Sequence, residues 1–229
     1  MTAAPAAAPA GNWLVRFYGS TIGRKVVMAL TGIILVGFIT IHMAGNLLVH
    51  QGAEAMNAYA EFLKSKPPLL WGTRIVVLLA VVFHAHAAIT LSRRAQGARP
   101  DRYAGLKAQA STLSARLMRA GGVLLLVFLV FHILHFTTGT VLPSQFVDGE
   151  AYQNVVRSFS IAWVTIFYVV AMAALTLHLH HGVWSLFQTL GANHPHFNGA
   201  RKKLAWLLAI VVPVGFVSVP IAVALGLAR

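Results

Sequence analysis

The histidines are the residues of this chain best suited to chemistry, because most of them lie in apolar segments. Eight of the eleven fall within or at the edge of long hydrophobic stretches. An imidazole there can bind a metal ion, carry a proton or hydrogen-bond a neighbouring helix. Ionisable groups inside a membrane span are energetically unfavourable and usually functional. Four segments each carry at least one, so helix-to-helix bonding alone is the weaker explanation. The eight are His42, His84, His86, His132, His135, His178, His180 and His181.

The composition is that of a membrane protein. Of 229 residues, 58% are hydrophobic and only 10% are charged, which is typical of a polytopic α-helical membrane protein. The absence of cysteine excludes disulfides, thiolate metal sites and iron–sulfur ligation within this chain. The net charge of +13 is concentrated in the segments outside the apolar spans and at their ends. Lipid headgroups and membrane topology explain that charge better than nucleic acid does.

Five apolar stretches are long enough to cross a bilayer, since a spanning helix needs about 20 residues. The sequence therefore predicts an all-α fold with five transmembrane helices in one domain, residues 16–229. Residues 1–15 begin "MTAAPAAAPAGN" and carry no positive n-region, which predicts a disordered tail rather than a signal peptide. The five predicted spans are 26–49, 71–92, 118–140, 161–184 and 204–227.

The basic residues predict the orientation of the spans. Lys and Arg concentrate in cytoplasmic loops, and all but five of the 18 fall on the side of the N-terminus and of the loops after the second and fourth spans. We expect a cytoplasmic N-terminus and an outside C-terminus. The five on the other side are Lys64, Lys66, Arg74, Arg157 and Arg229.

The histidines sort into two layers when their depth is counted along these spans. At about 1.5 Å of rise per residue, His42 and His132 lie in the outer half of the membrane and His84 and His178 in the inner half, about 15 Å apart. We call His42 and His132 the outer pair, and His84 and His178 the inner pair.

Two histidines from different helices at one depth can bind the two faces of a flat macrocycle. Bis-histidine haem iron in a helix bundle requires that arrangement, so two layers predict two haems stacked across the membrane. Glycines near these positions would let a ring approach the backbone, or let helices pack closely, and both explanations stay open. They are Gly32, Gly37, Gly45, Gly121, Gly122 and Gly182.

Zinc, copper and proton transport are the competing chemistries. Zinc and copper accept imidazole, but a transport site would place its ligands at one depth, usually with carboxylates or thiolates. Proton relays also use intramembrane acids. The predicted spans contain no acids, which favours haem. Within the spans, His135 is a rival to His132, since it lies three residues on and shares its helix face. His86 is a weaker rival to His84.

Five motifs together resemble a known family. The chain is similar to the cytochrome b membrane anchor of succinate dehydrogenase and fumarate reductase, in its single-subunit, five-helix, di-haem class. The resemblance covers nearly all of the chain after the tail. The motifs are "FITIHMAGNLL" (38–48), "GAEAMNAYAEFLKS" (52–65), "FHAHAAITLSRRAQGARPDRY" (83–103), "GGVLLLVFLVFHILHFTTG" (121–139) and "LHLHHGVWSLFQTLG" (177–191).

The resemblance implies a four-helix core holding two b haems, a fifth helix and a quinone site. It also implies a cytoplasmic dock for an iron–sulfur subunit that carries a flavoprotein subunit. The matching motif histidines are the same four, with His42 and His132 as axial ligands of the outer haem and His84 and His178 of the inner haem. Electrons from succinate would pass to quinone, or in the reverse direction in a fumarate reductase. The chain alone would not oxidise succinate.

Residues at the inner edge could serve the inner haem. Arg24, Lys25, Arg93 and Arg94 could pair with its propionates, although the inside bias of positive charge explains all four without that role. His180 and His181 follow the inner ligand His178. We expect them at the interface, near propionates or the docking surface, or at a solvated helix end.

The quinone chemistry is less well defined by the sequence. Some members of the family use an acid after the first span. A gap-free count from His42 places Lys64 there, which leaves the acid of the family unassigned. Glu61 is our candidate for quinone-linked proton transfer, with an exposed loop acid as the alternative. The Ala- and Leu-rich composition suggests the inner membrane of a bacterium and menaquinone.

Two other functions stay open. One is a haem-free, histidine-rich transporter for a metal ion or protons. The other is the di-haem cytochrome b anchor of a different quinone-linked enzyme, such as a hydrogenase or formate dehydrogenase. Neither matches "HGVWSLFQTLG" (181–191) as well.

Overall fold

The computed structural model describes residues 12–98 and 112–229. Those two ranges are helical, with connecting turns and no strand. The helices are α1 (Trp13–Gly19), α2 (Thr21–Asn46), α3 (Ala53–Lys64), α4 (Pro67–Gly97), α5 (Leu113–His132), α6 (Ala151–Phe159), α7 (Ala162–Thr189) and α8 (Asn198–Ala224).

Five helices are long and apolar enough to cross a membrane, which confirms the predicted five-span, all-α fold. A 3₁₀ turn lengthens α2 to Thr21–Gln51, and a π turn lengthens α5 to Leu113–Thr137. The others are Pro67–Gly97, Ala162–Thr189 and Pro195–Ala224. Four of the five begin four to nine residues before the predicted spans, and Ala162–Thr189 begins one residue after its predicted start, because sequence patterns fix helix ends poorly.

Some of the predicted features lie outside the described residues. These are residues 1–11 of the predicted tail and three of the basic residues counted after the second span, Arg99, Arg102 and Lys107. The last part of the predicted tail, Trp13 to Val15, lies in α1.

Local signals explain where the spans begin and end. The hydroxyl oxygens of Ser20 and Thr112 accept hydrogen bonds from main-chain N–H groups in the first turns of α2 and α5, the usual N-cap role of these residues. Two prolines begin α4, where a missing N–H has no effect on helix bonding. Gly52 and Gly191 adopt positive φ at the ends of helical segments, a conformation that favours glycine.

The spans pack as two hairpins and an added helix. One hairpin is α2 with α4, the other is α5 with α7, and α8 lies against α7 and α2. At the contact of α2 with α8, a Cβ on Gly215 would lie 2.5 Å from the sulfur of Met43. The missing side chain of Gly215 leaves the room that the Met43 side chain occupies. We call the end that carries α3 and α6 the outer end, and the end that carries α1 the inner end, following the predicted topology.

The outer end holds the larger of the two cores. Amphipathic α6 packs there against α3, α7 and α8, and Tyr152, Phe159, Val164 and Tyr168 are buried. The Tyr152 hydroxyl accepts a hydrogen bond from the main-chain N–H of Arg229. Many large apolar side chains on the spans are exposed in the isolated chain, as expected for a surface that faces lipid.

Candidate functional site: two histidine pairs

The four candidate ligands lie in two pairs, each joining two different helices. His42 on α2 faces His132 on α5, with ring centres 5.8 Å apart. His84 on α4 faces His178 on α7, with ring centres 6.2 Å apart. Each hairpin therefore contributes one histidine to each pair.

These spacings fit two imidazoles bound to opposite faces of one iron. An imidazole nitrogen lies about 2 Å from a first-row metal ion, so two trans imidazoles have ring centres about 6 Å apart. Both observed distances lie close to that value. The donor set is also right, since neutral imidazole is a common axial ligand of haem. The residues therefore fit a haem at each pair.

The two pairs lie at different depths on the same helices. A Cβ on Gly32 of α2 would lie 3.6 Å from the His84 ring, and a Cβ on Gly122 of α5 would lie 4.0 Å from the His178 ring. In both helices the outer histidine, His42 or His132, follows that glycine by ten residues. The pairs are therefore about 15 Å apart along the helix axes.

At the inner pair, the hydrogen bonds of His84 fix its protonation. Its Nδ1 lies 3.1 Å from the carbonyl oxygen of Met28 and 3.2 Å from the hydroxyl of Thr31. A carbonyl can only accept, so Nδ1 carries the proton and Nε2 keeps its lone pair for another partner.

His178 completes the inner pair in a different environment. Its Nδ1 is buried without a hydrogen-bond partner in the described part of the chain. An apolar cleft of about 210 Å³ lies beside it, between α5 and α7, and includes Gly121 and Ala174 in its lining. A buried ring nitrogen with no protein partner is unusual, and it marks a place where a further group can bind.

The outer pair is surrounded by aromatic rings. Phe38 stacks on His42 with ring centres 5.4 Å apart, and Phe128 stacks on His132 with ring centres 5.8 Å apart. The Nδ1 of His132 lies 3.3 Å from the hydroxyl of Tyr168. The side chain of Asn46 approaches both ring nitrogens of His42 at 3.4–3.5 Å.

The rival histidines have other partners. His135 is 1% exposed; its Nδ1 lies 3.0 Å from the Tyr168 hydroxyl and its Nε2 lies 2.9 Å from the Ser158 hydroxyl. His86 is exposed, and its Nδ1 lies 2.5 Å from the hydroxyl of Tyr18. Both nitrogens of His135 are therefore engaged within the protein, which favours His132 as a ligand.

The basic residues at the inner edge differ in their surroundings. Arg24 is half-buried, and its Nε and Nη1 are buried without an acceptor in the residues described. Arg94 donates to the carbonyl of Gly19 and approaches the hydroxyl of Thr21, so it fixes the junction of α1 with α2. Lys25 and Arg93 are exposed.

The two histidines after His178 lie near the inner end. His180 approaches the Ser114 hydroxyl at 3.1 Å, and its ring centre lies 4.1 Å from that of Trp206. His181 is half-buried. An exposed tryptophan such as Trp206 is typical of a membrane interface.

The acids of the outer connector are at the surface. Glu61 and Glu54 lie on the exposed side of α3, and the structure does not bring Glu61 into contact with the outer pair. Lys64 forms an ion pair with Asp148 at 2.6 Å. The hydrogen bond and charge of Lys64 hold the pKa of Asp148 below its usual range.

The described residues contain no cluster of three or more His, Cys, Asp or Glu side chains with the geometry to hold a metal ion. Zinc sites in proteins use three or four protein ligands. Two isolated pairs of imidazoles instead suit an iron whose other ligands come from a macrocycle.

Sequence reasoning missed the partners of the ligand rings. Tyr168, Thr31 and the carbonyl of Met28 carry no motif that marks them. One signal could have strengthened the pairing: "GIILVGFITIH" (32–42) and "GVLLLVFLVFH" (122–132) both place a glycine ten residues before an outer histidine. Each of these glycines faces a ring of the inner pair.

Comparisons with known proteins show the family of this chain. The family model for the succinate dehydrogenase/fumarate reductase transmembrane subunit matches residues 92–217, more than half of the chain and including His132 and His178. The chain is 25% identical over 164 residues to the succinate dehydrogenase cytochrome b558 subunit of Bacillus subtilis (strain 168), covering 71% of this chain and 77% of that protein. No solved structure matches significantly. The chain belongs to the family of transmembrane subunits of succinate dehydrogenase and fumarate reductase.

Proposed function

We propose that this membrane subunit passes electrons between an iron–sulfur subunit and membrane quinone through two b haems. The observation that carries the proposal is the pairing of four histidines at two depths, with ring centres 5.8 Å and 6.2 Å apart. Two layers about 15 Å apart span much of a bilayer core about 30 Å thick.

Each pair of histidines has a defined task in this proposal. His42 and His132 hold the iron of the outer haem, and His84 and His178 hold the iron of the inner haem. Bound haem supplies one-electron redox chemistry. The apolar helices exclude water and provide a low dielectric, and the hydrogen bonds to the ligand rings tune their basicity.

Arg24 is the strongest candidate for an inner-haem propionate, because its buried Nε and Nη1 have no acceptor among the residues that the structure describes. A carboxylate there would satisfy them by charge-assisted hydrogen bonds. Lys25 and Arg93 add positive charge at the same edge. Arg94 contributes its charge while its N–H groups hold the α1–α2 junction.

The subunit works in a complex. We propose that its inner end docks the iron–sulfur subunit, which carries the flavoprotein subunit, at the cytoplasmic face of a bacterial inner membrane. The basic residues of that end support this sidedness, since positive charge is concentrated in cytoplasmic loops.

Glu61 is proposed to transfer the proton that accompanies quinone turnover, with menaquinone as the expected quinone. Its support is its place on the outer connector and its exposed position on α3. We expect Glu61→Gln to lower quinone-linked turnover at least tenfold while both haems remain. Glu54→Gln, an exposed acid of the same helix, is the matched control. Equal activity of the two variants would remove Glu61 from the mechanism.

The experiment for the function as a whole is to purify the complex from native membranes through an affinity tag on this chain. We expect an iron–sulfur and a flavoprotein subunit to co-purify, and succinate to reduce the b haem. A haem-free chain carrying zinc or copper would contradict the proposal and favour the transporter. Haem with a different dehydrogenase partner would favour the other quinone-linked enzymes.

A further inference from the structure

A chain of hydrogen bonds leads from the outer pair to α6. The Nδ1 of His132 lies 3.3 Å from the Tyr168 hydroxyl, and the same hydroxyl lies 3.0 Å from the Nδ1 of His135. The Nε2 of His135 lies 2.9 Å from the Ser158 hydroxyl. Tyr168, His135 and Ser158 are all buried. This network is built of side chains, and the function described above gives no specific role to Tyr168, His135 or Ser158.

The backbone brings these groups together by a wide turn. Residues Ile133–Thr137 form a π turn, in which the N–H of Thr138 donates to the carbonyl of Ile133. Such turns are rare and often occur at functional sites. His135 lies within this turn and His132 directly before it, and both rings reach one hydroxyl of α7.

The network has two internally consistent directions, and iron binding selects one. A ligand that binds iron through Nε2 keeps its proton on Nδ1. The Nδ1–H of His132 then donates to Tyr168, and the Tyr168 O–H must donate to the Nδ1 of His135. His135 is left with its proton on Nε2, which donates to Ser158. In the opposite direction, the Tyr168 O–H would donate to the Nδ1 of His132. The proton of His132 would then be on Nε2, which could not bind iron.

We propose that Tyr168 is a positioning residue whose hydroxyl oxygen accepts a hydrogen bond from the Nδ1–H of His132 and thereby tunes the potential of the outer haem alone. The proposal rests on the proposed function, since it needs haem at the outer pair. His135 and Ser158 complete the role by holding the Tyr168 hydroxyl in its accepting orientation. An acceptor on the far nitrogen fixes the ring and makes an imidazole a stronger electron donor to the metal.

The expected effect is specific to one haem. Stronger donation stabilises ferric iron, so loss of the acceptor raises the midpoint potential. In Tyr168→Phe we expect the midpoint potential of the outer haem to rise and that of the inner haem to stay the same. The low-spin ferric resonance of the outer haem should also move, because the His132 ring is no longer fixed.

The test uses the purified complex with both haems bound. A potentiometric titration followed by visible spectra gives the two potentials, and electron paramagnetic resonance gives the two ferric signals. Tyr152→Phe is the matched control, because it removes a buried hydroxyl of the same core that bonds Arg229 instead of a ligand ring. Ser158→Ala is the second variant, for which we expect a smaller upward shift of the outer haem.

A shift confined to the outer haem of Tyr168→Phe, and absent in Tyr152→Phe, supports the proposal. No shift, an equal shift of both haems, or an equal effect of Tyr152→Phe overturns it. If Tyr168→Phe does not retain both haems, Ser158→Ala decides, and an unchanged outer potential there overturns the proposal. A wild-type complex without b haem would overturn the proposed function as well. If the wild-type complex holds two haems and their potentials are the same in these variants, only the present proposal is overturned.

Discussion

The outer and inner pairs hold their histidines by different means. At the inner pair, the Nδ1–H of His84 donates to the main-chain carbonyl of Met28. At the outer pair, the Nδ1 of His132 meets the side-chain hydroxyl of Tyr168, which belongs to a longer network. A carbonyl is fixed by the helix whatever its side chain, whereas a hydroxyl can be lost in one substitution. Single substitutions should therefore disturb the hydrogen bond of His84 less than that of His132. The potential of the outer haem should accordingly be the easier of the two to change by mutation.

The packing around the pairs differs in the same way. Aromatic rings enclose the outer pair, with Phe38 and Phe216 near His42 and Phe128 near His132. The inner pair instead adjoins glycines and an apolar cleft beside His178. The space at the inner pair exists because glycines there lack side chains. A larger side chain at such a glycine should therefore reduce haem binding more than one at an exposed position of the same helix.

The largest effect is expected from filling that space. Gly32→Leu extends a side chain toward His84, since even a Cβ there would lie 3.6 Å from the ring. We expect haem content to fall from two toward one per chain, with the inner haem missing from the spectrum. A pyridine haemochrome assay measures the content.

The control for this substitution is Gly37→Leu on the same helix. Gly37 is exposed, and a Cβ there would meet nothing within 4 Å, so both haems should remain. Equal haem loss in the two variants would show that α2 itself fails to pack, and would contradict a specific role for Gly32.

The next effect concerns charge at the inner edge. Arg24→Gln removes a positive charge from a half-buried site, which favours the ferric state and lowers the inner potential. We expect about 1 kcal/mol, roughly 40 mV for a one-electron couple. Redox titration measures the shift, with exposed Arg93→Gln as control. Shifts of equal size in both variants would argue against a propionate contact of Arg24.

A smaller effect is expected at Thr31. Its hydroxyl lies 3.2 Å from the Nδ1 of His84, but the Met28 carbonyl lies nearer at 3.1 Å and remains in Thr31→Val. The inner potential should therefore change less than the outer potential does in Tyr168→Phe. The same redox titration measures both potentials. A larger shift in Thr31→Val than in Tyr168→Phe would contradict the claim that the outer pair depends more on a side-chain hydroxyl than the inner pair does.

The smallest effect is expected from the ion pair of the outer end. Because the pKa of Asp148 is lowered in the folded state, the pair stabilises the protein above the ordinary carboxyl pKa, about 4. That contribution is lost as the pH falls through the folded-state pKa. Thermal unfolding should show a small deficit for Asp148→Asn at neutral pH that vanishes in acid. A deficit that grows on acidification would contradict the assignment.

Much of this architecture could be predicted from the sequence, because its causes are local. Apolar length fixed the five spans, and the rise of a helix placed His42, His84, His132 and His178 in two layers. The contacts of Tyr168 and the burial of Arg24 could not be predicted, since they depend on how α7 and α2 rotate against their neighbours. These rotations depend on side-chain packing between helices that are distant in sequence, so no short motif indicates them. The role of Glu61 stays a prediction.

The central claim is that the four histidines act as two pairs, and haem content in single variants tests it most directly. His42→Ala and His132→Ala should each lose the same haem, and His84→Ala and His178→Ala should each lose the other. His86→Ala, whose ring bonds Tyr18 at the exposed inner edge, should keep both. Visible spectra of the five purified complexes show which haem is missing, and the haemochrome assay gives the number of haems that remain. Loss of different haems within one pair, or full haem content in any of the four, would contradict the account.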